Sequence, residues 1–174
     1  MTTCKLLFDE VDSVPHGLET LVPSERGMSD FKECLKHLRD GQHEEALAGV
    51  RRALRTAPRN PFYVSYAGLL AALAEQRFFD AERLCLEALR MRHNHPQLYL
   101  NLANVYQTAG RFEEAIAVLK KGFTSTGRDL RIRIALKNLG CRRQPVLPFV
   151  DRSNAMNRVL GKWRHRLLGP IRAV

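Results

Sequence analysis

Apolar residues recur at helical spacing along most of this 174-residue chain, and the pattern repeats about every 34 residues. Ala46, Ala81 and Ala115 mark the repeat, at intervals of 35 and 34 residues. Apolar residues at helical spacing follow each alanine and give one helix of every repeat an apolar stripe. A neighbouring repeat must cover that stripe, because a single helical hairpin cannot bury it alone. The pattern therefore predicts an all-α chain in which helical hairpins stack into a superhelix.

Seven helices follow from this pattern. We expect them at residues 29–39, 43–56, 62–75, 78–91, 96–109, 112–125 and 129–139. Pro61 and Pro96 fall at the starts of two of them, where the missing N–H costs nothing. The first six helices form three hairpins, each with a helix A and a helix B. The seventh has Leu130, Ile134 and Leu139 with basic residues between them, which predicts the polar-faced cap that the end of a solenoid requires.

Small residues stand where the helices are predicted to cross. Two antiparallel helices approach closely only where small side chains lie at the crossing. We therefore expect Ala46, Ala81 and Ala115 to contact helix A of their own hairpin. A second set of small residues is predicted to let helix B meet the following repeat. The members of the second set are Ala53, Ala88 and Gly122.

The third repeat carries a set of residues with family-specific spacing. The set consists of Tyr99, Leu102, Ala103, Tyr106, Gly110, Ala115 and Leu119. Through these residues the sequence resembles the tetratricopeptide-repeat (TPR) family, of the small bacterial type, over residues 28–127. The second repeat departs from the family pattern at Gln76, Cys85 and His93. The resemblance implies a right-handed α-α superhelix that serves as a scaffold for partner proteins.

Charge divides the chain into three parts. The expected irregular lead, residues 1–27, has two basic and five acidic side chains and a net charge of −3. Residues 28–140, which hold the repeats and the capping helix, contribute +6, and the tail, residues 141–174, contributes +7. We expect repeat boundaries near 27–61, 62–95 and 96–128. The basic tail indicates an acidic partner, an anionic membrane or nucleic acid, or salt bridges to the chain's own acidic helices.

The cysteines and the apolar runs indicate a compartment. Cys4, Cys34, Cys85 and Cys141 form no C-x-x-C pair and are typical of free thiols in a reducing environment. No apolar run approaches the roughly 20 residues that cross a bilayer, and the first residues lack a small-residue cleavage site. We therefore expect a cytoplasmic protein.

The sequence contains no catalytic or cofactor motif of the common classes. G-x-S-x-G, P-loop and G-x-G-x-x-G patterns are absent. His93 and His95 lie in a predicted turn without a nearby cysteine or carboxylate, so we interpret them as surface histidines rather than a metal site. Cys34 and Cys85 fall on apolar helix faces and are predicted to be core residues. We expect no enzyme activity, no cofactor and no metal.

The resemblance implies a binding site. In the family, helix A of each repeat lines a concave groove, and fixed repeat positions point into it. The groove residues of this chain are then Phe31, Lys32, Leu35, Leu38, Arg39, Tyr63, Tyr66, Leu70, Leu73, Gln97, Leu100, Asn101, Asn104 and Gln107. Tyrosines at such a surface are frequent anchors, and amides can pair with a peptide backbone. Packing between repeats fits Tyr63 and Tyr66 equally well, and only Lys32 and Arg39 suit the family's clamp for a terminal carboxylate.

The tail combines an extended segment with an amphipathic helix. Pro145 and Pro148 forbid helix in residues 145–150, and a helix is predicted over 153–168. Its apolar face holds Met156, Val159, Leu160, Trp163 and Leu167, and its basic residues include Arg158, Lys162, Arg164 and Arg166. One interpretation is a C-terminal cap folded on the repeats. The alternative is a helix that binds an anionic membrane surface or nucleic acid.

The resemblance implies a protein-protein interaction module, namely an adaptor, scaffold or chaperone that holds a segment of another polypeptide in the groove. The alternative is peripheral binding of an anionic surface through the basic tail. The apolar groove is also compatible with self-association, and with binding of residues 145–150 from the same chain or a second copy.

Overall fold

The computed structural model describes residues 25–140, which form seven α-helices and no strand. The helices are α1 (Glu25–Arg39), α2 (His43–Thr56), α3 (Pro61–Glu75), α4 (Phe78–Met91), α5 (Pro96–Thr108), α6 (Phe112–Ser125) and α7 (Leu130–Gly140). The predicted boundaries are met within one residue, except that α1 is already helical at Glu25, the first described residue. None of the helices in these residues is long and apolar enough to cross a membrane.

The helices pack in chain order. Helices α1 and α2, α3 and α4, and α5 and α6 form three antiparallel hairpins, and α2 packs on α3, α4 on α5, and α6 on α7. The first helices of neighbouring hairpins also touch, since α5 contacts both α3 and α7. This arrangement confirms the predicted all-α superhelix of stacked hairpins.

Each hairpin turn contains one residue in the left-handed backbone region. Gly41 and Gly110 have φ angles of 76° and 77°, and the corresponding residue of the second hairpin is Gln76, with φ 55°. Only glycine adopts this region without a steric penalty from Cβ. The predicted departure from the family pattern at Gln76 therefore places a strained residue in the turn.

Small residues allow the close crossings within hairpins. A β-carbon at Gly68 would lie 2.7 Å from the carbonyl oxygen of Ala81, which confirms Ala81 as a crossing residue. A β-carbon at Gly122 would lie 2.6 Å from Cγ of Tyr99. Tyr99 belongs to the same hairpin, so the prediction that Gly122 faces the following repeat is wrong. The bulky Tyr99 ring of α5 requires the space that a glycine leaves on α6.

The first described turn of α1 lies close to the end of α2. Gly27 is buried, and a β-carbon there would overlap the Thr56 hydroxyl at the end of α2. Glu25 lies in the first turn of α1, where the helix dipole stabilises an acidic side chain. Residues 25–27 thus belong to the helical array rather than to the irregular lead.

The last helix buries a different face from the predicted one. Its buried side chains are Ile132, Ala135 and Leu139, at helical spacing. Leu130 is 56% exposed and Ile134 is 36% exposed. The expectation that Leu130 and Ile134 form the covered stripe of a polar-faced cap is therefore wrong. The helix packs on α5 and α6 and buries Ile132 and Ala135 instead. The last described helix therefore carries exposed apolar side chains.

Candidate concave groove

The predicted groove runs along α1, α3 and α5, the first helices of the three hairpins, and α7 follows as the next first helix. One repeat position, spaced 35, 34 and 34 residues apart, supplies a row of apolar side chains. We call this the apolar row, and its members are Phe31, Tyr66, Leu100 and Ile134. The row extends the predicted groove by one helix, because Ile134 on α7 occupies the position of Leu100 on α5.

An aromatic cluster joins α1 to α3. The ring of Phe31 lies 4.8 Å from that of Tyr63 and 5.2 Å from that of Tyr66, measured between ring centroids. The second pair is edge-on, an arrangement that aromatic rings prefer. All three side chains are buried. In the structure the two tyrosines therefore pack between repeats, as the second sequence interpretation had it.

The tyrosine hydroxyls of this cluster are buried without hydrogen-bond partners among the described residues. Burial raises the pKa of Tyr63 to about 12 and raises that of Tyr66 as well. An unpaired buried hydroxyl is costly, and native structures usually satisfy such a group. The Tyr63 hydroxyl lies near the start of α1, since a β-carbon at Gly27 would be 3.7 Å from it.

A chain of amides joins α5 to α3. The Gln97 amide nitrogen donates to Oδ1 of Asn101 across 3.0 Å, and the Asn101 amide nitrogen donates to Oγ of Ser65 across 3.0 Å. Asn101 is 0% exposed. At the groove end of α5, Oδ1 of Asn104 accepts from the Gln107 amide at 3.2 Å. Much of the hydrogen-bonding capacity of these amides is therefore used inside the protein.

The groove residues fall into two sets by exposure. Most are buried, namely Phe31, Leu35, Leu38, Tyr63, Tyr66, Leu70, Gln97, Leu100, Asn101 and Asn104. Leu73 and Gln107 are partly buried, and Lys32 and Arg39 are exposed. Most of the predicted groove residues are thus buried, and Lys32 and Arg39 are the exposed ones among them. The basic residues predicted in the tail, Arg158, Lys162, Arg164 and Arg166, lie outside the described residues.

A polar network that the sequence analysis did not find links the second and third repeats. Oε1 of Glu82 accepts from the Tyr106 hydroxyl at 2.7 Å, and Oε2 accepts from Arg111 at 2.6 Å. Arg111 also donates to Glu114 at 2.9 Å and stacks over the Tyr106 ring. Burial and the bond to Glu82 raise the pKa of Tyr106 to about 12. The sequence carries no signal for this network, because Glu82 lies 24 residues from Tyr106 and 29 residues from Arg111.

Of the cysteine and histidine side chains considered as candidate reactive or metal-binding groups, Cys34, Cys85 and His95 are buried in the repeats. Cys34 and Cys85 are buried as predicted, and burial raises the pKa of each thiol to about 12. His95 is not a surface histidine, contrary to the prediction. It is buried beside Phe62, with ring centroids 4.6 Å apart, and its Nδ1 accepts from the backbone N–H of Gln97 to cap α5. Within residues 25–140, no group of three histidine, cysteine or acidic side chains could hold a metal ion.

The stacked hairpins and their shared concave face define a helical-repeat scaffold. Residues 72–138 match the family model of the tetratricopeptide repeat. This match and the stacked hairpins agree with the sequence resemblance to that family.

Known proteins with similar sequence or structure agree with this family. Over 92 residues, 51% of this chain, the sequence is 36% identical to TPR repeat-containing thioredoxin TTL4 of Arabidopsis thaliana, of which the match spans only 13%. The Sgt2 TPR domain of Aspergillus fumigatus matches with a TM-score of 0.58 at 16% identity, over 80% of this chain and 97% of that one.

Two further solved structures contain bound peptides. The first TPR of Spaghetti (RPAP3), solved with the HSP90 peptide SRMEEVD, matches with a TM-score of 0.56 at 16% identity, over 68% of this chain and 96% of that one. The TPR2B domain of yeast Sti1, in a complex described as pHsp70, has the same TM-score at 15% identity, over 69% of this chain and all of that one. At these identities the likeness establishes the fold alone.

Proposed function

We propose that the protein is a protein-protein interaction module that holds a segment of another polypeptide in its concave groove. The observation that supports this most is the apolar row, which continues across all four first helices at one repeat position. A repeated apolar position on a concave face suits a ligand that lies along the array. The peptide complexes of similar fold, RPAP3 and Sti1, support a polypeptide ligand.

The groove favours an apolar ligand over an acidic one. The RPAP3 peptide SRMEEVD has two glutamates and a terminal aspartate. Among the predicted groove residues the cations are Lys32 and Arg39, both at the first repeat and both exposed. Arg131 of α7 acts on Tyr66 but is paired with Asp129. A carboxylate at the centre of the groove would meet Leu70 and Leu100 instead and would lose its hydration without a partner. We therefore propose that the ligand presents leucine-like or aromatic side chains and few carboxylates.

A peptide library tests the proposal directly. Peptides displayed on phage are selected on the full-length protein, and the affinities of the selected peptides are measured by fluorescence anisotropy in 0.15 M and 0.5 M salt. We expect apolar sequences whose affinity changes little with salt, because screening acts mainly on charge pairs. Acidic sequences that dissociate in 0.5 M salt would contradict the proposed ligand.

A matched pair of variants locates the site. Leu73→Glu places a charge at the margin of the predicted groove, at a partly buried residue. Leu86→Glu places the same charge on α4, at a residue that is 38% exposed. We expect the first variant to weaken peptide binding about tenfold or more, the equivalent of about 1.4 kcal/mol. The second should bind as the wild type does. Equal loss in both variants would place the site elsewhere.

A further inference from the structure

The outward side of α4 carries two large apolar side chains that the packing of the repeats does not use. Phe79 is 83% exposed and Leu86 is 38% exposed, whereas the core side of the same helix buries Ala81, Cys85 and Ala88. The two exposed residues are seven positions apart, so they lie on one face of the helix, about 10 Å apart along its axis. Single exposed apolar residues are ordinary, but a pair on one face is a surface that a partner can cover.

The first and third hairpins have charged residues at the same two repeat positions. The counterparts of Phe79 are Glu44 and Glu113, and those of Leu86 are Arg51 and Lys120, all of them exposed. The stacking of the hairpins therefore does not require an apolar side chain at either position. Among the three described hairpins, the apolar pair belongs to the second alone.

Two arginines share this side of α4. Arg83 and Arg90 stand four and eleven residues after Phe79, so with Leu86 the four side chains fall in an arc of about 60° around the helix. The Arg83 side chain is 62% exposed, with its guanidinium 3.6 Å from Asp80. Arg90 is exposed and has no acidic partner within residues 25–140. We call Phe79, Arg83, Leu86 and Arg90 the α4 face, on which apolar side chains alternate with cations.

We propose that the α4 face is a second interaction surface, which binds an acidic helical segment of another protein. Large apolar side chains of the partner would cover Phe79 and Leu86 and remove their surface from water. Carboxylates beside them would pair with Arg83 and Arg90, because a guanidinium group can bind a carboxylate through two parallel hydrogen bonds. This surface lies on the second helix of a hairpin, whereas the proposed groove runs along the first helices, so neither proposal depends on the other.

The charge of the α4 face argues against a second copy of this chain as the partner. Two copies that met through this face would bring Arg83 and Arg90 of one against the same arginines of the other. Like charges placed together across an interface are unfavourable. An acidic partner converts the same two cations into an attraction.

The surroundings of the α4 face argue against an anionic bilayer. Glu44 and Glu113 are exposed on the neighbouring hairpins at the repeat position of Phe79. A flat anionic surface that reached Phe79 would also approach these carboxylates and be repelled by them. A single partner helix is only about 10 Å wide, so it can contact α4 without meeting either glutamate.

A library of acidic helices tests the proposal on the full-length protein. Peptides rich in alanine and glutamate are displayed on phage with two positions, seven residues apart, randomised, and are selected in 0.15 M salt. We expect leucine, phenylalanine or similar side chains at both positions. The affinity should fall several-fold in 0.5 M salt, since salt screens exposed charge pairs. Selected peptides without an apolar preference at the two positions would overturn the proposal.

Variants that add positive charge separate the α4 face from a general attraction to a basic protein. Phe79→Lys and Leu86→Lys raise the net charge at positions where the other hairpins tolerate charged residues, so both chains should fold. We expect each to weaken the selected acidic peptides about tenfold or more, because the apolar contact is lost. Leu130→Lys adds the same charge at an apolar residue of α7 that is 56% exposed, and should not weaken binding. Unchanged or tighter binding by Leu86→Lys would overturn the proposal.

A second pair of variants tests the arginines. Arg90→Gln should weaken the selected peptides and make their affinity less dependent on salt. Arg55→Gln removes the same charge from the equivalent exposed position of α2, and should have little effect. An equal loss in the two variants would mean that the peptides respond to total charge and not to the α4 face.

The two binding surfaces can fail separately. Acidic peptides that Leu86→Lys weakens and Leu73→Glu does not are ligands of the α4 face, and they leave the apolar groove ligand as proposed. Acidic peptides with the opposite response would overturn the α4 face and also contradict the apolar groove ligand. Self-association of the wild type, or its binding to phosphatidylserine vesicles, that Phe79→Lys abolishes would replace the acidic partner by a second copy or a bilayer.

Discussion

The side-chain amide of Asn101 donates a hydrogen bond to Oγ of Ser65 across 3.0 Å, and this bond joins the third repeat to the second inside the protein. Asn101 also accepts from Gln97. Asn101→Ala removes both bonds and leaves buried polar groups without a partner, so we expect the free energy of unfolding to fall by about 1–3 kcal/mol. Urea denaturation measures this. Asn138→Ala, at an exposed position of α7, should change stability by less than about 0.5 kcal/mol.

Gly122 and Tyr99 allow a test of close packing. In Gly122→Ala the new β-carbon would lie 2.6 Å from Cγ of Tyr99, closer than atoms pack. Alanine is the better helix former by about 1 kcal/mol, yet overpacking costs about 1–3 kcal/mol or more, so we expect a net loss of stability. The melting temperature should fall. Tyr99→Leu in the same chain should recover part of the loss, and strictly additive effects would show that the two residues do not couple.

The second hairpin turn has a correctable strain. Gln76 has φ 55°, where its Cβ costs about 1–2 kcal/mol relative to glycine. We expect Gln76→Gly to raise the free energy of unfolding, by about 1 kcal/mol after the added entropy of the unfolded glycine. Gln42→Gly is the control, because Gln42 has φ −85° and no strain to relieve. A gain in both variants, or in neither, would contradict this account of the turn.

The buried thiols predict a loss of stability at alkaline pH. Burial raises the pKa of Cys34 and Cys85 to about 12, whereas an unfolded cysteine has a pKa of about 8.5. A raised pKa in the folded state gives a contribution that is full below about pH 8.5 and is lost as pH rises toward 12. The midpoint of urea denaturation should therefore be lower at pH 10.5 than at pH 8. In a Cys34→Ala, Cys85→Ala chain the decrease should be smaller.

Thiol reactivity provides a separate check of the same burial. In a chain with Cys4→Ser and Cys141→Ser, the remaining thiols are Cys34 and Cys85. Neither should react with a disulfide reagent at pH 8 before the protein unfolds, because the thiolate is the reactive form and both side chains are buried. Rapid reaction of the native protein would show that the core opens at the first or second hairpin.

The helical array could be predicted because its signals are local. The period marked by Ala46, Ala81 and Ala115, together with Pro61 and Pro96, placed nearly every boundary within a residue. The helical turn at residues 25–27 was not predicted, because its close approach to Thr56 joins residues far apart in the sequence. A repeat pattern assigns residues to faces without naming what they contact.

The groove shows the same limit. The repeat positions predict which residues line a concave side, and the apolar character of these residues is visible in the sequence. Their burial was not visible, nor was the partnership of Asn101 with Ser65, because each depends on a neighbour some 35 residues away. His95 was misassigned for a related reason: the pattern marked a turn, while the cap on α5 and the contact with Phe62 bury the ring.

The Glu82 network has a consequence for how the array comes apart. Solenoids can lose terminal repeats one at a time, since each repeat contacts only its neighbours. Here one carboxylate on α4 accepts from both Tyr106 and Arg111 of the next hairpin, so fraying from the C-terminal end would leave Glu82 without either donor. Native-state hydrogen exchange should therefore find α4, α5 and α6 opening together as one cooperative unit, with α7 exchanging ahead of them.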